Sequence, residues 1–445
     1  QIFALHGNQI WTTKKHSSAQ LNNTLISLKN EINNNELKAF KDEQIFNLIT
    51  PNVTQISPSL FSHNYNLRFA FIPSVVKLGR GVFFSCPNLV AVKCKNLAVI
   101  EESVFQHCNN LFQIDLDNVT SFGRDSFAYC TNLPLLVNKR AQHIDRAFNE
   151  NFCLRQIDVN AETTIADGNF KYVQYARLPN LKTELFKDVF VTQDSSLNQM
   201  RNNILIENLP KLQLAVYPHR TDMGRLVEQK CIVNNLVMIS TIQPQISQNI
   251  QIRGLILKKI TEVSNGAFQR QKSLLFAYCP QVEIIRKYGF DFCISMKRFV
   301  SQNLRLVETG GFMSCISLAQ IDLSNVIELG VNCLCSCHAL VNVIFKKLEY
   351  LPQYCFQCCE GLCQIEAEAL KQCHNDAFIY CRRQIKIVSH SLTNGKGYVV
   401  VTKKQRFQEI LIQKFRERKL FMEQIKNFQY KVTNLKLTKR FAQKM

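Results

Sequence analysis

The chain has 445 residues, an apolar share of 46% and a formal net charge of +20. No stretch reaches the roughly 18 uninterrupted apolar residues of a spanning helix, so the sequence predicts no transmembrane segment. The charge is uneven, because residues 382–445 hold 17 Lys or Arg against three Glu, a net of +14 of the total +20. The first residues, QIFALHGNQIW, lack the pattern of a signal peptide.

Residues 1–52 precede the regular part of the chain and are rich in Asn and Lys. The stretch LKNEINNNELKAF is expected to be helical in part. The end unit of a stacked array must present one polar face to solvent. We therefore expect residues 1–52 to form an N-terminal cap.

From residue 53 onward a Phe returns every 22 residues and marks one repeat unit. Cys usually follows three positions later and Leu six positions later, as at Phe105, Cys108 and Leu111. The other anchors are Phe83, Phe127, Phe268, Phe290, Phe312, Leu334, Phe356 and Phe378. A fixed period of this length indicates a solenoid, in which each unit buries its apolar face only against its neighbours.

Two periodicities occur within one unit. Ile114, Asp115 and Leu116 alternate as in a short strand. In EESVFQHC, residues 101–108, Val104 and Phe105 fall at helical spacing from Cys108 after two acidic residues that suit a helix N-terminus. The sequence therefore predicts an α/β solenoid over 53–388, in which each 22-residue unit has a short parallel strand, a turn and a short helix.

The units resemble the leucine-rich repeat family and, within it, the BspA-like class, whose units read L-x2-I-x-L followed by a turn leading to A-F-x2-C. The resemblance is close in SNGAFQRQKSL, ESVFQHCNNLFQIDL and GGFMSCISLAQIDL, and it covers residues 53 to about 180 and 246 to about 388. It departs where a polar residue replaces the Cys, where Val173 replaces it, and where Leu334 replaces the Phe. The polar replacements are Asn64, Asn151 and Gln271.

Eighteen Cys residues raise the question of disulfide bonds or a metal. Eight of them hold one position of the repeat, where stacking predicts a buried column of small apolar side chains. These are Cys86, Cys108, Cys130, Cys293, Cys315, Cys337, Cys359 and Cys381. We expect reduced, buried thiols, which favours a reducing compartment. A zinc site stays an alternative at two clusters, Cys333–Cys335–Cys337 and Cys355–Cys358–Cys359–Cys363.

Between residues 180 and 245 the repeat is irregular, since Phe170 and Phe268 are 98 residues apart, which is not a multiple of 22. One continuous solenoid with a distorted middle is the preferred interpretation. Two solenoids joined by a linker are the alternative.

Residues 389–445 form a basic tail. Phe421, Ile425, Phe428 and Val432 are spaced as on one face of a helix, while most Lys and Arg residues from Lys403 to Lys444 fall on other faces. The pattern predicts an amphipathic helix that caps the last repeat. A helix that binds a partner, or that binds an anionic surface such as nucleic acid or membrane, is the alternative.

The sequence contains no pattern typical of an active site. NGKG at residues 394–397 lacks the Ser or Thr and the upstream Gly of a phosphate-binding loop, so we expect a turn there. No paired carboxylates, nucleophile elbow or metal-binding His doublet is present. The chain is therefore expected to be no enzyme and to take no cofactor and no small-molecule substrate.

On a leucine-rich repeat, the strand side chains beside the buried Ile and Leu face solvent on the concave sheet. Here they are Lys93, Gln113, Asp115, Gln156, Asp158, Arg298, Gln320, Asp322, Gln364, Glu366 and Lys386. The recurrence of Gln and Asp predicts a polar ladder that binds a protein partner. Ordinary solvent-facing strand residues are equally polar, so that alternative stays open.

Two functions follow as hypotheses. The first is a non-catalytic protein-binding or scaffold protein of the cytoplasm. The second is a cell-surface or secreted adhesin, which the BspA-like resemblance suggests for some members. Asn22, Asn52 and Asn118 lie in N-x-S/T triplets, which mean glycosylation only if the chain is secreted.

Overall fold

The computed structural model of the protein describes residues 18–21, 24–34, 45–154, 156–159, 164–165, 170, 173, 175–177, 190–192, 236–239, 252, 254–257 and 259–404. The predicted helix between Lys403 and Lys444 lies almost wholly outside the described residues, as do most of the predicted cap at 1–52 and most of the irregular region at 180–245. Their predictions are therefore not tested.

Each repeat forms one coil with two short strands. In one coil these strands are Ala91–Lys93 and Val99–Ile100. Ala91 pairs in parallel with Gln113, and Val99 pairs with Ser121, so each strand lies beside the strand 22 residues later. Stacked coils thus build two sheets along the array, which we call the first face and the second face.

The first-face strands form four sheets among the described residues. Their bounds are Ser18–Leu21, Thr24–Ser27, Asn47–Ile49, Phe69–Phe71, Ala91–Lys93 and Gln113–Ile114; Leu135–Asn138, Gln156–Val159, Tyr175–Arg177 and Phe190–Thr192; Leu236–Ile239, Gly254–Leu257, Phe276–Tyr278, Arg298–Val300 and Gln320–Ile321; Asn342–Phe345, Gln364–Ala367, Ile385–Val388 and Tyr398–Val401. All pair in parallel except the first two, which form an antiparallel pair.

The second-face strands are shorter, with two residues each. Their bounds are Glu31–Ile32 and Gln55–Ile56; Lys77–Leu78, Val99–Ile100, Ser121–Phe122, His143–Ile144 and Thr164–Ile165; Glu262–Val263, Ile284–Ile285, Leu306–Val307 and Glu328–Leu329; Tyr350–Leu351 and Gln372–Cys373. The parallel solenoid predicted from the sequence is therefore confirmed.

The short helix predicted in each unit is wrong. Across residues 51–154 and 259–404 the segments after the second-face strands are turns, with no helix. In the segment 101–108, Ser103 and His107 have φ values of 57° and 60°, which no right-handed helix contains. The same pair of positive φ values recurs four residues apart in most other coils, for example at Asp125 and Tyr129.

The backbone gains contacts between coils from this conformation. The N–H groups of Ser103, Phe105 and His107 donate to carbonyl oxygens of the next coil at 3.0, 2.8 and 2.9 Å. The N–H groups of Gln106 and Cys108 donate three residues back within the turn. Because alternate N–H groups point along the array, the connecting segment is hydrogen-bonded almost as a strand is. Helical spacing of Val104, Phe105 and Cys108 is compatible with either geometry, since all three are buried.

The anchor Phe residues stack into a column. Phe83, Phe105 and Phe127 follow one another with ring centroids 5.5 and 5.1 Å apart. Phe268, Phe290 and Phe312 do the same at 5.2 and 5.5 Å. The buried residues form two large clusters, one from Leu25 to Val173 and one from Ile252 to Tyr398. We call the corresponding coils the first arm, residues 24–177, and the second arm, residues 252–401.

The Cys column is explained by a hydrogen bond. The thiol of Cys108 donates to the carbonyl oxygen of Phe83, the anchor of the preceding coil, at 3.1 Å. The same bond recurs at the other seven Cys residues of this position, at 3.0 to 3.3 Å. Asn151, which replaces the Cys in its coil, donates its amide to Phe127 at 2.9 Å. The position therefore selects a small side chain that can donate.

The prediction of buried thiols is confirmed for seven of the eight, and Cys381 is half-buried. Burial raises the pKa of the thiols well above the usual value, as at Cys315 and Cys337. Such groups stay protonated and keep their proton for the carbonyl.

We predict that Cys315→Ala lowers the free energy of unfolding by about 1–2 kcal/mol, because it removes the donor to Phe290 and leaves a small cavity. Urea unfolding followed by circular dichroism measures this. Cys358→Ala is the control, since Cys358 is only half-buried in its turn and should change the value by less than about 0.5 kcal/mol. Equal losses in both variants would contradict a role for the thiol column.

Candidate functional site

The two arms pack against each other along one edge of their coils. The Asn88 amide of the first arm donates to the carbonyl oxygen of His338 in the second arm at 2.9 Å. The Asn132 amide donates to the hydroxyl of Ser317 at 3.2 Å. Since a later residue in the first arm meets an earlier residue in the second, the arms run antiparallel. We call this contact the seam.

The seam continues toward the irregular region of the chain. The hydroxyl of Ser295 donates to the carbonyl oxygen of Thr131 at 3.3 Å. The hydroxyl of Ser273 donates to the carbonyl oxygen of Phe152 at 3.1 Å. The contact therefore extends over several coils of each arm and is not confined to a single point.

A column of Asn in one arm fits a column of small residues in the other. Two positions after the repeat Cys, the first arm has the buried residues Asn66, Asn88, Asn110 and Asn132. The second arm has Ser273, Ser295, Ser317, Ala339 and Gly361 at the same position. At Gly361 a Cβ would collide with the carbonyl oxygen of His338 and lie 3.0 Å from the Asn88 amide nitrogen. Small side chains thus leave room for the amides of the opposite arm.

Apolar and cationic side chains complete the seam beside the first-face strands. Lys297 lies over the ring of Phe112, with Nζ 4.8 Å from the centroid. Phe46 of the first arm is buried together with Val341 and Cys363 of the second. Each of these residues directly precedes a first-face strand or lies at its start. The first faces of both arms therefore border the seam.

The structure brings the predicted binding residues of the two arms toward the same seam. Gln113, Gln156, Arg298, Gln320 and Gln364 each begin a first-face strand, so they lie next to the seam. Lys93, Asp115, Asp158, Asp322 and Glu366 lie two residues further along. No sequence pattern indicates that residues near 113 and near 298 share a surface. Nothing in the structure tests whether these residues bind a partner, and that role stays a prediction.

The first face carries more apolar side chains than a polar ladder would. Phe69 and Phe71 pair with Ala91 and Lys93 in the first arm. In the second arm, Tyr278 aligns with Val300. Aromatic side chains of this kind are typical of protein interfaces, where they bury large areas at a small cost in entropy.

The charged members of the face are paired with one another. Lys93 and Asp115, from neighbouring coils, form an ion pair at 3.0 Å. Lys139 forms an ion pair with Asp158. Asp322 accepts the backbone N–H of Ser324 at 2.9 Å. These acidic side chains thus already have partners within the array, so they are held in fixed positions on the face.

A similar network occupies the last coils of the second arm. Gln364 is fully buried, and its amide donates to Asn342 at 3.2 Å. Asn342 donates to Glu366 at 2.9 Å, and Lys404 lies 3.4 Å from the other oxygen of Glu366. The burial of Gln364 removes it from the surface on which the sequence placed it. The prediction of a solvent-facing side chain is therefore wrong for Gln364, whose buried amide is held by Asn342, and for Asp158, which is buried beside Lys139.

The Cys clusters contribute to the core. Cys333 and Cys355 are fully buried, with their sulfur atoms 3.4 Å apart. Cys337 and Cys359 donate to carbonyl oxygens as the other repeat Cys residues do. Within the part of the chain that the structure describes, no three His, Cys, Asp or Glu side chains are arranged to hold a metal ion.

The segment 394–397 is a turn, as the sequence predicts. The Asn394 side chain accepts the backbone N–H of Val400 at 2.7 Å, and Gly395 bridges to Tyr398. The turn directly precedes the last first-face strand, Tyr398–Val401.

Comparison with known proteins identifies the repeat. The sequence profile of the BspA type leucine rich repeat region matches in six copies, over residues 13–134, 54–177 and 261–386. The chain belongs to this family. No curated protein matches it. In the described ranges, no helix is long and apolar enough to cross a membrane.

Several solved leucine-rich repeat structures are similar at low identity. A leucine rich cell surface protein of Faecalibacterium prausnitzii is 16% identical, with 81% of this chain and 96% of that chain covered and a TM-score of 0.30. A leucine-rich repeat protein of Bacteroides ovatus is 15% identical, with 84% and 94% covered and a TM-score of 0.26. The pneumococcal vaccine antigen PcpA is 13% identical, with 80% and 74% covered and a TM-score of 0.30. Similarity at this level indicates nothing about the partners of this chain.

We predict that Asn132→Ala loosens the seam, because it removes the buried amide that donates across the seam to the Ser317 hydroxyl. Removing such a donor typically costs about 1–3 kcal/mol. Hydrogen exchange should become faster at the backbone of Ser295 and Ser317 in the opposite arm. Asn118→Ala is the control, since the Asn118 amide donates to Lys95 within the same arm. Unchanged exchange around Ser317 would contradict the seam.

Proposed function

We propose that the chain is a non-catalytic protein-binding or scaffold protein, and that its partner binds the first faces of both arms across the seam. The observation that carries this proposal is the antiparallel packing of the arms, which places first-face strands of both on either side of one contact. A partner that spans the seam would contact residues more than 180 positions apart in sequence.

The chemistry of the surface supports a folded protein as the partner. It combines half-buried aromatic side chains, Phe69, Phe71 and Tyr278, with an ion pair and with Arg298. Aromatic residues and Arg provide most of the energy at protein interfaces, while paired charges at the rim set orientation. Ile344 on the same face is 43% exposed and adds apolar area.

We propose the cytoplasm as the compartment, with the cell surface as the alternative. Seventeen Cys residues are free in the described part of the chain, and most are buried with a raised pKa. Two Asn residues of N-x-S/T triplets are already engaged: Asn52 donates to Leu28 at 3.1 Å and Asn118 to Lys95 at 2.8 Å. Two measurements on the protein purified from its natural source decide between the two. Thiol labelling after unfolding detects disulfides and mass spectrometry detects attached glycans, and either would support the surface adhesin.

We predict that disrupting either arm of the first face releases the partner. One variant carries Phe71→Ala and Lys93→Ala in the first arm, and the other carries Tyr278→Ala and Arg298→Ala in the second. Each should weaken binding of proteins captured by the intact chain at least tenfold, since interface anchors of these types commonly contribute about 2 kcal/mol or more. Pull-down followed by titration of each captured protein measures this.

The matched control carries Ser121→Glu and His143→Glu, both exposed on the second face of the first arm. It should retain every captured protein. A third variant reverses the charge of Asp115, Asp158 and Asp322 together. If the face variants and this charge-reversed variant all keep their partners bound, the first face is excluded as the binding surface.

A further inference from the structure

A cluster of titratable side chains from both arms lies at the seam end formed by the first coils of the first arm and the last coils of the second. His63 and Tyr65 belong to the first arm, and His338, Glu360 and Arg382 belong to the second. The Arg382 guanidinium donates to the carbonyl oxygen of His63 at 2.5 Å. It also lies over the ring of Tyr65, 5.7 Å from the centroid.

Tyr65 links these groups to His338. Its ring centroid is 6.1 Å from that of His338, and its hydroxyl lies 3.3 Å from Nδ1 of His63. Glu360 and Arg382 flank Tyr65 with opposite charges. The first arm thus inserts an aromatic ring among three ionisable groups of the second arm.

His338 is held at the contact in its neutral form. Its carbonyl oxygen accepts the Asn88 amide across the seam, and its ring packs beside that of Tyr65 of the first arm. Its Nδ1 atom is buried and has no hydrogen-bond partner among the described residues. A proton on Nδ1 would therefore add a buried, unpaired donor and a buried positive charge, which is costly.

We propose that the seam is a latch that opens at mildly acidic pH, and that protonation of His338 releases it. Opening would let water reach the His338 ring and would separate Arg382 from His63. The proposal is independent of which face binds a partner.

The sign of the effect follows from the pKa values. Burial lowers the pKa of His338 from 6.5 to about 4 in the closed form. A base whose pKa is lowered in the closed form stabilises that form fully above pH 6.5. This contribution is lost as the pH falls from 6.5 toward 4. Each pH unit in this window shifts the equilibrium toward the open form by at most about tenfold per group. His63 acts in the same direction, since burial and Arg382 lower its pKa too.

The other groups at this end act differently. Burial raises the pKa of Glu360, so its protonation favours the closed form. As the pH falls, Glu360 therefore opposes the opening that protonation of His338 causes. The pKa of Tyr65 is raised to about 12 and those of Cys335 and Cys358 are raised as well, so all three stay protonated in the acidic range. Burial also lowers the pKa of His107, but its stacking partner Tyr129 belongs to the same arm.

Small-angle X-ray scattering of the full chain tests the latch between about pH 7.5 and about pH 4.5. The radius of gyration of the wild type should rise reversibly as the pH falls below 6.5, while circular dichroism stays constant. His338→Gln should remain compact over this range, because Gln stays neutral where His338 would take up a proton. Glu360→Gln should stay closed at least as well as the wild type throughout, because a neutral Gln mimics the protonated Glu360 that favours the closed form.

His143→Gln is the matched control, because His143 is exposed on the second face, away from the seam. It should open as the wild type does. NMR titration of the His338 ring in the wild type covers the case in which His338→Gln is already expanded at neutral pH. A pKa at or above 6.5, a wild-type radius that does not change, or a His338→Gln variant that opens as the wild type does would each overturn the proposal.

Discussion

The fold depends on backbone hydrogen bonds between coils, which continue through the turns as well as the strands. The N–H groups of Ser103, Phe105 and His107 all donate to the next coil. This fixes the distance between equivalent residues at one coil spacing. Phe rings can then stack face to face, and the thiol of Cys108 can reach the Phe83 carbonyl. Positive φ at non-Gly residues costs about 1 kcal/mol each, and the bonds between coils offset that cost.

The seam is built by the same periodicity. Because every coil presents equivalent residues on the same edge, one change of residue type repeated every 22 residues produces a whole surface. Asn in one arm and Ser, Ala or Gly in the other are complementary at each step. These contacts are polar and hydrogen-bonded, unlike the Phe column within each arm. Separating the arms therefore exposes polar groups that water can satisfy together with the small apolar contact of Phe46, Val341 and Cys363, whereas separating two coils would expose the whole column of aromatic rings.

The sequence predicted the solenoid, its period and its buried columns, because burial at Phe105 and Cys108 depends only on residue type and spacing. It did not predict the turn, since helical spacing also fits a chain with positive φ at Ser103 and His107. It missed the seam, although the Asn column from Asn66 to Asn132 was visible at a buried position. A periodic buried amide needs a partner outside its own coil, and that reasoning could have found it. The pairing of the arms needs contacts about 185 to 250 residues apart, which local patterns do not encode.

Closing of the seam and binding of a partner to the first face would be thermodynamically coupled. A partner that binds both arms gains contacts only while the arms are packed together, so binding would favour the closed form by linkage. Conversely, a charge on His338 would weaken the binding of a partner that contacts both arms, although His338 does not contact that partner. The reason is that opening the seam separates the two halves of the binding surface. The effect on affinity cannot exceed the free energy by which the open form is favoured. A partner held by one arm alone would be insensitive to His338, so the pH dependence of binding reports how many arms the partner contacts.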